Sequence, residues 1–237
     1  MISIERLEST YGYILTKLLA LINPVKKSIK KTECLVHVYL NNNALNILLN
    51  DGYVNEHNLF KNYITNLNSG VILADLDFKS SNHFYNPVKR KGLFGRKNAM
   101  ELALVYHEKA LKLWSMKKYE KSMFYFGATL HLIQDMTVPQ HANIRLLDNH
   151  HQYEKFVSRT YKSVNEFKIE SGTYLLDSVK DYIRFNSRVA IKIYEKYKDI
   201  KDDDMRFYKT TRCSLPLASR TTAGALVLFY KEIKDTY

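Results

Sequence analysis

Eight histidines punctuate the chain, and four of them (His131, His141, His150 and His151) crowd into one short stretch beside Asp135 and Glu154. His131 and Asp135 are four residues apart, so on a helix both project from one face, one turn apart. Phe124 and Ala128 continue that stripe toward the N-terminus, which turns the face inward. A buried carboxylate beside imidazole is costly unless it is paired or bound to a cation, and a metal ion is the simplest partner. His150 and Glu154 repeat the spacing on another helical segment, and Pro139 breaks the chain between the pairs so that His141 can turn back toward them. One such pair alone is usually a surface or capping pair. Two pairs joined by a proline bend that carries a fifth donor point to metal binding. With only Cys34 and Cys213 available, a cysteine-only zinc site and a disulfide framework are both excluded. Any metal is therefore held mainly by histidine and carboxylate.

The elements that must position these donors read as helices. Apolar residues recur at helical offsets over 35–49, where Asp51-Gly52 supplies a stop, and over 98–134, as one long helix or two in succession. A bend follows over 136–148, then helical patterns over 150–160, 174–198 and 218–235. The stretch 66–97, with Gly70, Pro87, Gly92 and Gly95, reads as a long irregular loop. Gly and Pro number only 8 and 4 in 237 residues, too few for a sheet-rich fold that turns every few residues. The expected architecture is an all-α single helical domain with one long irregular loop. Residues 1–32 are expected to form an N-terminal helical extension, with an amphipathic helix ending before Pro24, and 33–237 the functional domain. No stretch is apolar enough to cross a bilayer, and Lys17 interrupts the nearest candidate for a signal segment, from Tyr13 to Val25.

The net charge of +12 suits an anionic partner, either lipid surface or nucleic acid. Many of the lysines (Lys109, Lys112, Lys117, Lys118, Lys121) nevertheless fall where a helix would simply face solvent.

The ordered set His131, Asp135, Pro139, His141, Asn143, His150 and Glu154 resembles the signature of the prokaryotic zinc-dependent phospholipase C family. The resemblance extends upstream to Asp75, followed by His83-Phe84 and Pro87, and to His37, fourteen residues before Asp51 in Asn50-Asp51. Downstream it reaches the helix that contains Ala218-Ser219-Arg220-Thr221-Thr222-Ala223-Gly224. It matches the catalytic domain of clostridial alpha-toxin, in the manner of single-domain members of the family.

The resemblance implies Zn2+, two or three ions. One would be held by Asp75, His83, His131 and Asp135, and a second by His141, His150 and Glu154. A third would use His37 and share Asp135, completed in the family by the amino group and carbonyl of an N-terminal tryptophan. The single tryptophan here is Trp114, deep in the chain. Asp75 would be the catalytic carboxylate that orients or deprotonates the attacking water; Asp77 is a local alternative that lies less well spaced from His83. The implied activity is phospholipase C hydrolysis of a phospholipid at a membrane surface, by a monomer whose relatives are usually secreted. Choline-preferring members carry aromatic residues where this chain has Leu76 and, roughly, Ser80, so phosphatidylcholine is not the expected substrate, although Phe78, Phe84 and Tyr85 lie close by. Two alternatives stand beside this reading: a trinuclear-zinc nuclease of the same helical fold acting on nucleic acid, and a non-catalytic membrane-associated scaffold. The sequence Asp135-Met136-Thr137-Val138-Pro139-Gln140-His141 fits the lipase branch better than the nuclease branch. His57 is expected to be exposed and His107 to be packed or solvated rather than ligating.

Overall fold

Capping chemistry and glycine placement turn these periodicities into defined elements in the computed structural model, which describes residues 24–76, 80–93, 98–144 and 149–235, with side chains from residue 35 onward except 75, 76, 80 and 81. Helix α1 (Pro24–Asn50) ends where Gly52 adopts φ +86°, a conformation glycine reaches without strain. Helices α2 (Val54–Asn62) and α3 (Ile64–Leu76) follow, then a 3-10 turn at Ser80–His83. Helix α4 (Ala99–Ser115) opens on Asn98, whose side chain accepts from the Glu101 amide and donates to the Glu101 carboxylate. Helix α5 (Tyr119–Asp135) is separate from α4, the chain reversing at Lys117 with φ 58°. The short helix α6 (Pro139–Asn143) has Pro139 in its first turn, where the missing N–H breaks no bond. Then come α7 (His150–Thr160), a 3-10 turn at Asn165–Phe167, α8 (Val179–Tyr197) capped by Ser178, and α9 (Asp203–Asp235).

Two observations revise the expected boundaries. Helix runs on through Gly70 to Leu76, where a loop was expected from residue 66. Leu67, Val71 and Ala74 supply a buried stripe at helical spacing, and Gly70 is required by contact rather than by a turn. A Cβ on Gly70 would lie 2.0 Å from the Phe124 carbonyl oxygen, and one on Gly127 would lie 2.1 Å from that of Leu67. The backbones of α3 and α5 therefore touch. The last helix likewise starts at Asp203 rather than 218 and carries Pro216 inside it, held by buried neighbours on both sides of the proline. The amphipathic helix expected to end before Pro24 lies outside the described residues, which begin at Pro24 with α1.

Two apolar clusters organise the packing. The larger places Phe60, Phe126 and Phe229 around the middle of α5, with Phe126 and Phe229 stacked at 4.0 Å. The smaller gathers Leu40, Tyr153, Phe156, Phe167, Phe207 and Leu215 around α7. The lysines expected to face solvent on α4 and α5 do so. Among the described residues no helix is long and apolar enough to cross a membrane.

Candidate metal centre

The C-terminal turn of α5 holds His131 and Asp135 on its inward face, both under 5% exposed. Three other elements bring imidazoles to the same carboxylate. From the 3-10 turn, His83 Nδ1 lies 3.1 Å from Asp135 Oδ2, as does His131 Nε2, and the two imidazole nitrogens are 3.2 Å apart. From α1, His37 Nε2 lies 3.6 Å from the other oxygen, Oδ1. From α6, His141 Nδ1 lies 3.7 Å from Oδ2. Asp135 thus faces different imidazoles with its two oxygens.

A second trio closes beside the first. His150 Nε2 sits 2.9 Å from His141 Nε2 and 3.0 Å from Glu154 Oε1. The helical spacing of His150 and Glu154 puts both on the inner side of α7, and Tyr153 between them is buried in the smaller cluster. Asp75 occupies the penultimate position of α3, its side chain outside the described residues.

Donor chemistry and spacing fit zinc. Tetrahedral zinc bonded to nitrogen and oxygen at about 2.0 Å needs donor atoms about 3.3 Å apart, close to the separations within each trio. Asp135 Oδ2 is shielded from solvent and has no well-aligned hydrogen-bond donor, an arrangement that a cation would relieve. His37, His131 and Asp135 form one group able to hold a metal ion, and His141, His150 and Glu154 another.

The electrostatics agree. Burial pushes the Asp135 carboxyl up, but His131 and His141 outweigh it and hold the group well below its ordinary range. Burial pulls His131 down, against Asp135, favouring the neutral imidazole that a metal requires. Burial also opposes charge on His141, yet Asp135 and Glu154 raise it to about 9. Glu154 is lowered to about 2 by hydrogen bonds from His141 and His150, against burial. Raised in this way, His141 supplies positive charge between these carboxylates, a role that a divalent ion would take over.

Supporting contacts fix which nitrogen each ring presents. His141 Nδ1 donates to the His83 carbonyl at 3.1 Å, leaving Nε2 directed at His150. Phe84 stacks on the His141 ring at 4.8 Å, and so packs against the site. His37 Nδ1 donates to Gln134 Oε1 at 2.8 Å, which leaves Nε2 for Asp135. Gln134 is itself held by donating to Asn41 Oδ1 at 2.9 Å and Thr222 Oγ1 at 3.1 Å. Sequence reading missed this network. Its one local signal was Asn41, four residues after His37 on the same helix face.

All of these donors except His131, which sits behind Asp135 and His83, line a cavity of about 290 Å³ whose remaining wall is largely apolar, including Val36, Leu40, Val138, Val157 and Leu215. The other histidines stay apart. His107 is buried between Phe126 and Phe229 and pairs with Glu232 at 2.8 Å. His57, expected to be exposed, is partly buried and contacts Asn58. His151 is exposed on α7. Cys213 carries a free thiol, and the Cys34 side chain lies outside the described residues.

Comparison with known proteins gives the chain relatives in sequence and in fold. A phospholipase C of Bacillus cereus is 28% identical over 151 residues, covering 57% of this chain and 52% of the relative. The alpha toxin of Clostridium absonum superposes with a TM-score of 0.74 at 16% identity, covering 84% of this chain and 64% of that one. Clostridium perfringens alpha-toxin from an avian strain gives 0.72 at 19% identity, with 85% and 64% covered. The chain spans about half the length of the curated relative and just under two thirds of these toxins, whose likeness establishes the all-helical fold. The sequence profile of the family described as zinc dependent phospholipase C matches residues 36–208, nearly three quarters of the chain, and the chain belongs to that family.

Proposed function

We propose that this protein is a zinc-dependent phosphodiester hydrolase acting as a phospholipase C, releasing a phosphorylated headgroup from a phospholipid at a membrane surface. The observation that carries the reading is the juxtaposition of two donor trios, one around Asp135 and one around His150, at a single cavity lined by His37, His83, Asp135, His141, His150 and Glu154. His83, His131 and Asp135, with Asp75, would hold one ion, His141, His150 and Glu154 a second, and His37 with the outer oxygen of Asp135 a third. When bound, zinc supplies Lewis acidity, lowering the pKa of water from about 15.7 toward 7 and drawing charge from phosphoryl oxygens.

The chain's own groups do the rest. Asp135 ties the two halves of the centre together through its oxygens. The bond from His141 to the His83 carbonyl and the bond from His37 to Gln134 hold both rings in the tautomer that donates Nε2. The aliphatic wall keeps bulk water from the donors and so strengthens their field. Asp75 is the carboxylate we assign to receive the proton of the attacking water. The phospholipid's glyceryl side suits the apolar wall, and the protein acts as a monomer in this reading.

The test is hydrolysis of a soluble phosphodiester and of phospholipid vesicles by protein whose zinc content has been measured, with single-stranded DNA as the comparison substrate. Chelation should abolish lipid hydrolysis and zinc should restore it, while Asp75→Asn folds but, even with zinc in excess, turns over at least a hundredfold more slowly. Chelator-insensitive hydrolysis, preference for DNA, or full activity of Asp75→Asn would overturn the assignment.

A further inference from the structure

Helix α9 presents opposite faces to two cavities. Ser214, Leu215 and Ala218 face the metal cavity, whereas Cys213, Pro216, Leu217 and Arg220 border a groove against α8. On a helix these two sets lie about half a turn apart. The groove encloses about 430 Å³. Its floor is aliphatic, built from Val189 and Ile193 of α8 and Pro216 and Leu217 of α9. Four cations border it, namely Lys192, Lys196, Arg212 and Arg220, and no carboxylate does among the described residues. Lys192, Lys196 and Arg212 are exposed. Arg220 is fixed in place by donating to the Ser171 carbonyl at 3.2 Å and the Tyr174 hydroxyl at 3.4 Å, while its guanidinium lies 5.5 Å from the Tyr174 ring.

The geometry points to this groove as a binding site for a single anionic amphiphile, a phosphate-headed lipid whose head sits among the four cations and whose alkyl chain lies on the aliphatic floor. Charge complementarity selects the occupant. Inorganic phosphate would leave the floor wet, and a zwitterionic lipid would bring its own cation into a rim that already holds four. The site is independent of the metal cavity, because it uses the other face of α9 and none of the zinc donors. It gives the protein a hold on anionic lipid that does not occupy the catalytic cavity.

Cys213 lies in the groove, is partly exposed, and reports on it directly. The experiment measures the alkylation rate of Cys213 in the zinc-loaded protein, by peptide mass spectrometry, with monododecyl phosphate below its micellar concentration. Parallel arms use inorganic phosphate, dodecylphosphocholine and a short oligonucleotide. Monododecyl phosphate alone should slow alkylation at least tenfold. In Lys192→Glu/Arg212→Glu, both on solvent faces, protection should require at least tenfold more of it, with hydrolysis of a soluble diester unchanged. The milder Lys192→Gln/Arg212→Gln should show the same direction of change if charge reversal disturbs folding. No protection by monododecyl phosphate, equal protection in any other arm, or undiminished protection in both variants would overturn the site.

Discussion

Replacing Gln134 with leucine keeps a side chain of similar size while removing three hydrogen bonds, and it separates two roles that the structure gives this residue. Toward the core, Gln134 is the donor to Asn41 Oδ1, and Asn41 is 1% exposed. An acceptor orphaned there cannot recruit solvent, so the change should cost about 1–3 kcal/mol in unfolding free energy. Thr222 suffers less, because its hydroxyl still donates to the Ala218 carbonyl at 2.7 Å. Toward the metal cavity, Gln134 Oε1 is the acceptor that keeps the proton of His37 on Nδ1. Without it the proton can move to Nε2, the nitrogen that faces Asp135 at 3.6 Å, and the ring loses its fixed orientation. Loss of such a supporting contact typically weakens metal binding by about 10- to 100-fold.

The assay is competition between the protein and a chromophoric chelator, read as zinc ions per chain and affinity per ion, beside urea unfolding of the metal-free form. Gln134→Leu should weaken the ion held near His37 and leave the one at His141, His150 and Glu154 unchanged. Gln134→Glu provides the internal control, since it still accepts from His37 but cannot donate to Asn41 or Thr222. It should lose stability yet keep the affinity. If Gln134→Leu unfolds more easily but binds every zinc as tightly as the parent, Gln134 is packing alone and the positioning argument fails.

Two further outcomes test the scaffold. In Gly127→Ala the new methyl must displace the Leu67 carbonyl from 2.1 Å, forcing α3 and α5 apart. A loss of about 3 kcal/mol, or roughly 6–12 °C in the thermal midpoint, is expected; a shift under 2 °C would mean the helices are not in backbone contact. Asp51 closes the end of α1 by accepting from the Gly172 amide and from the amide and hydroxyl of Thr173. Burial raises its pKa, but these hydrogen bonds prevail and lower it below 3.8. A depressed carboxyl stabilises the fold fully above its unfolded value and loses that contribution as pH falls through the folded value. Asp51→Asn should therefore be less stable than the parent at pH 6, with the gap narrowing toward pH 3 in urea titrations. A gap that does not change with pH removes the carboxylate from the explanation.

How much of this could be read beforehand depended on whether the information was local. His131 with Asp135 and His150 with Glu154 were legible because a helix converts four-residue spacing into a shared face. His37 and His83 reach the same carboxylate from distant elements, and only the family resemblance picked them out. Gln134 escaped notice because a buried amide beside a metal donor has no spacing rule of its own. Its partners, Asn41 and Thr222, are 93 and 88 residues away. Gly70 was misread for a physical reason, since glycine serves equally for a turn and for a close backbone approach. Pro216 shows the converse, with helix continuing through a residue that normally ends one because tertiary burial outweighs the lost bond.

The division of the core explains why the centre sits where it does. Asp135 and His131 ride on α5, rooted in the larger apolar cluster, whereas His150 and Glu154 ride on α7, rooted in the smaller one. His141 stands between the two donor groups, facing Asp135 with one nitrogen and His150 with the other. Asp135, buried, and Glu154, partly exposed, would repel one another unless positive charge lay between them. Without metal, Asp135 and Glu154 raise His141 to about 9 against burial, which favours positive charge there. Divalent ions would supply more of it and bind donors from both helices, so the candidate metal ligands would also tie together helices rooted in the two clusters. A site on a single rigid helix would carry no such coupling, and removing the metal would leave its scaffold indifferent. Here α7 packs on α1 and α9 while its donors meet those of α5 and α6, so removing the metal should loosen the seating of α7.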